Sequence, residues 1–179
     1  MIFAPSFAYS EALYKIFTAK YPKVRCLLQT RNMSMREKEE FLQSFKQPTG
    51  SYLVGFSVLG GIYSEGVDFT GDSLIGAVIV GIGIPQLSYE RELICAYYTE
   101  KFDEGKQFAY VYPGVNRVLQ AAGRVIRSER DVGAIVLIDD RFDDPIYREV
   151  IPKLWDGMQF IGDPKSLKER LDEFWRDKP

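Results

Sequence analysis

The chain has 179 residues, 46% of them hydrophobic and 27% charged, with 25 acidic and 23 basic residues and a net charge of −2. Those proportions suit one folded domain with a buried core and exclude a disordered or fibrous chain, while the charge balance excludes a positive field over the whole surface, so contact with nucleic acid must be local. The absence of histidine excludes imidazole triads and the commonest metal ligand.

Met1-Ile2-Phe3-Ala4 is predicted to be a short strand, ended by Pro5-Ser6. It opens the sequence without any approach and lacks a basic leader, so we expect a fragment of a longer protein. Tyr9 to Lys20 places Leu13, Ile16 and Phe17 at helical spacing, Tyr21-Pro22 stops that pattern, and Val24 to Leu28 reads as a second strand. Ser34-Met35-Arg36-Glu37 has a hydroxyl at the N-cap and a carboxylate three residues on, which predicts a helix carrying Phe41, Leu42 and Phe45 inward.

A turn at Pro48-Thr49-Gly50 precedes a third strand, Tyr52 to Phe56, then a Gly60-Gly61 turn and the polar stretch Tyr63 to Asp68. Ile75 to Ile84 is apolar on both alternating faces, as in a parallel strand covered on each side, and is about half a membrane span. We therefore expect a soluble, cytoplasmic domain without membrane contact. Leu87 to Phe102 is predicted helical, Phe108 to Tyr112 a short extended piece, and Pro113 the opening of a helix running to Arg127. Ala134 to Ile138 gives the last buried strand. Asp144-Pro145 and Asp163-Pro164 each read as N-cap plus first helical residue, the second starting a helix with Leu167, Leu171 and Phe174 inward. Cys26 and Cys95 lack metal or disulfide spacing and read as buried thiols of a reducing compartment.

Strands alternating with helices imply an α/β domain, a parallel sheet with helices on both faces and functional loops at the carboxyl ends of the strands. In Gln120-Ala121-Ala122-Gly123-Arg124-Val125-Ile126-Arg127, a continuous helix would set Gln120, Arg124 and Arg127 at i, i+4 and i+7 on one face. Two planar guanidinium forks there suit a triphosphate. Taken alone, the same face could pair with Asp131, Asp139 or Asp140 at the surface. In Gly60-Gly61-Ile62-Tyr63-Ser64-Glu65-Gly66-Val67-Asp68-Phe69, glycines permit a sharp turn with N–H groups near a ligand, and Glu65 and Asp68 supply two carboxylates. Taken alone, that segment could be a turn with helix-capping acids.

The other candidates are weaker. Gly81-Ile82-Gly83 starts like a dinucleotide loop, but the third glycine is absent and Pro85 interrupts it, so it reads as a strand end without a cofactor. The Asp139-Asp140 pair reads as a helix cap or an arginine partner, and no metal site is assigned. Phe7, Tyr9, Tyr63 and Phe69 offer rings on which bases could stack, although Phe69 suits a core. Tyr97-Tyr98 reads as packing.

The Gln120 to Arg127 and Ser64 to Phe69 segments, in this order and flanking one buried strand, resemble superfamily 2 DNA helicases of the XPD and DinG type. Gln-x-x-Gly-Arg-x-Ile-Arg resembles helicase motif VI, Ser64 to Phe69 motif V, and Ile2-Phe3-Ala4-Pro5-Ser6-Phe7 motif IV; Asp139-Asp140-Arg141-Phe142 is similar to the same group. The resemblance, from residue 2 to about residue 150, implies the second of two RecA-like domains, residues 1–179 forming one C-terminal motor domain. It implies catalytic roles at the nucleotide for Arg127, Arg124 and Gln120. Glu65, Gly66 and Asp68 would lie at the nucleotide and couple it to DNA, and Ser6, Phe7, Tyr63 and Ser64 would contact the single-stranded DNA being tracked. Its cofactors would be ATP and Mg2+, held mainly by a first RecA-like domain in cis. No Gly-x-x-x-x-Gly-Lys-[Ser/Thr] loop occurs here, so this chain should be inactive alone. The cluster cysteines of many relatives are also missing, which leaves an iron–sulfur cluster in the parent protein open. The alternative functions are a nucleotide-independent DNA-binding or protein-interaction module and, less suited to the broken glycine pattern, a Rossmann-type oxidoreductase.

Overall fold

The computed structural model describes residues 1–46, 52–66, 69, 73–126, 130–151, 155, 157–176 and 178. Asp68, Arg127 and the turn expected at 48–50 lie outside the described residues.

Five parallel strands, β1 (Ile2–Ala4), β2 (Arg25–Leu28), β3 (Leu53–Val58), β4 (Gly76–Val80) and β5 (Ala134–Ile138), form one sheet in the order β2-β3-β1-β4-β5. Ile2 stands opposite both Phe56 and Val78, so β1 is the middle strand, and Phe3 and Ala4 are completely buried. The run expected to span Ile75 to Ile84 is a strand only to Val80, because Gly81 and Gly83 turn the chain with φ of +84° and +70°. Such angles are natural for glycine and costly for other residues.

Helices cover both faces. On one face α1 (Phe7–Lys20) sets the rings of Tyr14 and Phe17 edge-on to Phe56, at 5.5 and 5.6 Å between centroids. Gly55 points to the opposite face, where a Cβ would meet Met1 Sδ at 2.5 Å and the Phe45 ring at 2.6 Å, so α2 (Met35–Lys46) lies close against that face. The capping pair at its head is formed: Glu37 Oε2 accepts from the Ser34 N–H at 2.7 Å and the Glu37 N–H donates back to Ser34 Oγ at 3.3 Å. The Ser34 hydroxyl also donates to that carboxylate and holds it below the usual range.

The main core lies on the α2 side. Phe3, Ile79, Tyr63, Val115 and Val118, all at 1% exposure or less, join Phe41 and Phe69 there. Burying side chains of this size contributes about 1.5 to 3 kcal/mol each before conformational entropy is subtracted. Val115 and Val118 belong to α5 (Tyr112–Ala122), and Tyr63 to the single turn α3 (Ile62–Glu65).

Four expectations fail here. Gln107–Val111 is a π-helical turn leading straight into α5, where an extended piece was expected. Its Phe108 ring stacks on Tyr98 of α4 (Tyr89–Phe102) at 4.0 Å and 6°, a registry that a helical turn provides and a strand does not. Tyr98 packs as expected, whereas Tyr97 is half exposed, with Lys101 Nζ 4.6 Å from its ring centre. Cys26 and Cys95 are partly exposed rather than buried thiols, lying on a strand and a helix whose outer sides face solvent. The last helix, α7 (Pro164–Arg176), follows the Asp163 cap as read, but none of its residues is buried and Phe174 is 36% exposed.

Candidate functional site

All five strands point the same way, so the segments following β1, β3, β4 and β5 gather at one edge of the sheet. The chain leaves β1 toward one side and β4 toward the other, which opens a crevice between their carboxyl ends, the usual place for a ligand in such sheets. The crevice measures about 380 Å³ and is walled by Pro5, Tyr9, Gly81, Arg117, Asp139 and Arg141, among others.

Ser6 follows β1 and caps α1, its Oγ accepting from the Tyr9 N–H at 3.2 Å. Phe7 is partly exposed beneath the Arg31 guanidinium, 5.5 Å from the ring centre. Both residues are thus at the carboxyl edge of the sheet. After β3 the chain turns at Gly60, with φ of +76°, and enters α3 from Gly61. A buried pair supports that turn: the Ser57 hydroxyl donates to Gln29 Oε1 at 2.6 Å, and the same oxygen accepts from the Val58 N–H at 3.1 Å. Nothing in the spacing of the sequence marks Gln29, at the end of β2, as the support of a loop after β3.

Within α3 the expected assignments divide. Tyr63 is completely buried, stacks on Phe41 at 4.3 Å and donates its hydroxyl to Lys38 O at 3.2 Å. Burial pushes its phenol up to about 12. A ring held this way offers no face to a base, which overturns the reading of Tyr63 as a DNA-stacking residue. Ser64 is equally buried and donates its hydroxyl to Gly61 O at 2.9 Å, so its side chain fixes the turn instead of reaching a strand of DNA. Glu65 and Gly66 are exposed.

The Gln120 to Arg127 segment also departs from expectation. The α5 helix ends at Ala122, and the next N–H groups of Arg124 and Val125 bond back to Ala121 O and Ala122 O at 3.2 and 3.0 Å as tight turns. Gln120 is exposed on the last turn of α5, but Arg124 follows the helix end, so the two do not sit on one continuous helix. Arg124 Nε donates to Ser64 O at 3.0 Å and Nη2 to Glu65 O at 2.7 Å. A charged fork on two successive carbonyls is a strong, directional link. It joins the two segments that sequence reading singled out separately.

Asp139, just after β5, caps the following 3-10 turn and takes a two-pronged contact from Arg141, Nε to Oδ1 at 2.8 Å and Nη2 to Oδ2 at 2.7 Å. Those hydrogen bonds are the main reason its carboxyl lies below the usual aspartate value. Among the described residues no three His, Cys, Asp or Glu side chains converge.

A parallel sheet of this order, with helices on both faces, is a RecA-like fold. A family model described as the helicase C-terminal domain matches residues 1–157, and the chain belongs to that family. The regulator of telomere elongation helicase 1 homolog of Culex quinquefasciatus is 32% identical over 124 residues, covering 62% of this chain and 13% of that protein. The ATP-dependent DNA helicase chl-1 of Caenorhabditis elegans is 30% identical over 141 residues, covering 77% of this chain and 16% of that protein. A solved structure of apo XPD aligns over 83% of this chain and 29% of that one with a TM-score of 0.62 and 20% identity, a likeness of fold. The chain therefore spans less than a fifth of the length of these two curated relatives.

Proposed function

We propose that this domain is the second half of an ATP-driven DNA motor. In the full-length protein it would face a first RecA-like domain across a nucleotide cleft, with single-stranded DNA crossing both, and turnover would drive translocation and unwinding. The observation that carries this reading is the Arg124 fork on the Ser64 and Glu65 carbonyls. It makes one mechanical piece of the segment that would face nucleotide and the segment that would face DNA.

In this reading Gln120 and Arg127 would act at the phosphates of ATP, Arg124 positions Glu65 and Gly66 beside them, and Asp68 belongs to the same proposed set. Ser6 and Phe7 meet the DNA backbone at the head of α1. Magnesium and the phosphate grip would fall mainly to the partner domain in cis, since this sequence has no Gly-x-x-x-x-Gly-Lys-[Ser/Thr] loop. The names of these two relatives, both helicases and one an ATP-dependent DNA helicase, support the assignment.

Arg127 supplies the test. Arginine fingers stabilise charge that develops in the transition state and contribute roughly 10³- to 10⁵-fold in rate in phosphoryl-transfer enzymes. In the full-length protein Arg127→Ala should lower DNA-stimulated ATP turnover by about that factor while sparing ATP binding and thermal stability. Arg127→Lys should also fail, because an ammonium keeps the charge and loses the planar fork. Near-normal turnover in the alanine variant would refute the assignment.

A further inference from the structure

Arg117 lies on α5 and was not singled out by the sequence. Its Nη1 donates to Gly83 O at 3.0 Å, across 34 residues of chain. A Cβ placed on Gly60 would stand 3.0 Å from Arg117 Nε and 3.1 Å from its Cδ. A Cβ on Gly83 would stand 3.3 Å from Arg117 Cβ, 2.9 Å from Leu59 Cδ2 and 3.2 Å from Gly114 O. Both glycines have positive φ. Two left-handed turns, one ending β3 and one following β4, therefore close on a single arginine side chain.

Arg124, further along the same stretch of chain, holds the other end of the segment that begins at Gly60. Residues 60–65 are thus gripped at their start by the packing of Arg117 from α5 and at their end by the hydrogen bonds of Arg124, just past it. We propose that Arg117 is a positioning residue that couples the turns at Gly60 and Gly83 to α5, so that a displacement of α5 at the nucleotide cleft reaches the DNA-facing edge of the sheet. The proposal rests on the motor reading above. Arg117 walls the open crevice instead of filling the core. Its loss would leave the buried Val115 and Val118 contacts of α5 in place, and a role confined to coupling is separable from a role in folding.

The test is steady-state ATP turnover by the full-length protein, without and with saturating single-stranded oligonucleotide, for Arg117→Met and Arg117→Lys. Methionine keeps an apolar stem against Gly60 and removes the donor to Gly83 O. We expect unstimulated turnover and the thermal midpoint to be retained, with stimulation by DNA reduced about tenfold, the scale of a typical coupling free energy. Lysine, which keeps one donor, should recover part of the stimulation. Wild-type stimulation in the methionine variant overturns the proposal, as does a parallel fall of stimulated and unstimulated rates, which would mark a simple strut. If the methionine variant does not fold, the lysine variant decides: a partial loss confined to stimulation supports coupling, and full stimulation refutes it. Absence of DNA-stimulated turnover in the wild-type protein would overturn the motor reading and this proposal together, a result distinct from failure of the variants alone.

Discussion

Helices α5 and α7 carry equally clear amphipathic patterns and end in different circumstances. The apolar stripe of α5 disappears into the core, with Val115, Val118, Ala121 and Ala122 all buried, whereas α7 buries no residue. Their charged groups differ in the same way. On α7, Lys168 pairs with Asp172 and Arg170 with Glu173, within one turn of the same helix and largely exposed. Arg117 of α5, and Arg124 just past its end, instead reach backbone carbonyls 34 to 60 residues away. Amphipathic spacing states which face would be buried, but the partner has to come from elsewhere in the fold. Arginines that leave their own helix mark the one whose position matters.

Substitutions can break that comparison. Val118→Asp should place an unpaired carboxylate in the core and cost about 4 kcal/mol or more, enough to abolish a cooperative unfolding transition in a marginally stable domain. Leu171→Asp, the matching change on α7, should cost far less, about 1 kcal/mol, because Leu171 is only partly buried. Urea titrations followed by circular dichroism measure both, and a large loss at Leu171 would show that α7 packs more firmly than its exposure indicates.

A smaller effect than that at Val118 is expected at the mouth of the crevice. The carboxyl of Asp139 is depressed chiefly by its hydrogen bonds to Arg141, so its contribution to stability is fully present above the ordinary aspartate value of about 3.8. It should be lost as pH falls from there through the depressed folded value. Comparing urea midpoints at pH 6 and pH 3 for wild type and Asp139→Asn checks this. The wild type should lose more on acidification than the variant, and equal losses would mean that the Asp139–Arg141 pair contributes nothing.

The same contrast explains what could be read from the sequence. Alternating apolar segments led to the parallel sheet, and the capping pairs at Ser34 and Asp163 marked helix starts, because these signals are local. The end of α5 was misplaced because the pull on Arg124 comes from carbonyls 59 and 60 residues upstream. Tyr63 sits in a polar stretch and looks exposed, yet its ring is buried by Phe41, from a helix whose contact with α3 no spacing announces. Gln29 and Arg117 were missed for the same reason, since each supports a turn belonging to a different part of the chain, and Ser57 acts there only through Gln29. The π-turn before α5 depends on Phe108 meeting Tyr98, again a contact between elements.

The central claim, that this domain is one half of a divided ATP site, is tested most directly by measuring ATP turnover with single-stranded DNA for the isolated domain and for the full-length protein side by side. The account predicts no turnover by the isolated domain, which lacks a phosphate-gripping loop, and DNA-stimulated turnover by the full-length protein. Turnover by the isolated domain that disappears on Arg127→Ala would contradict it, since the catalytic site would then be complete within these residues.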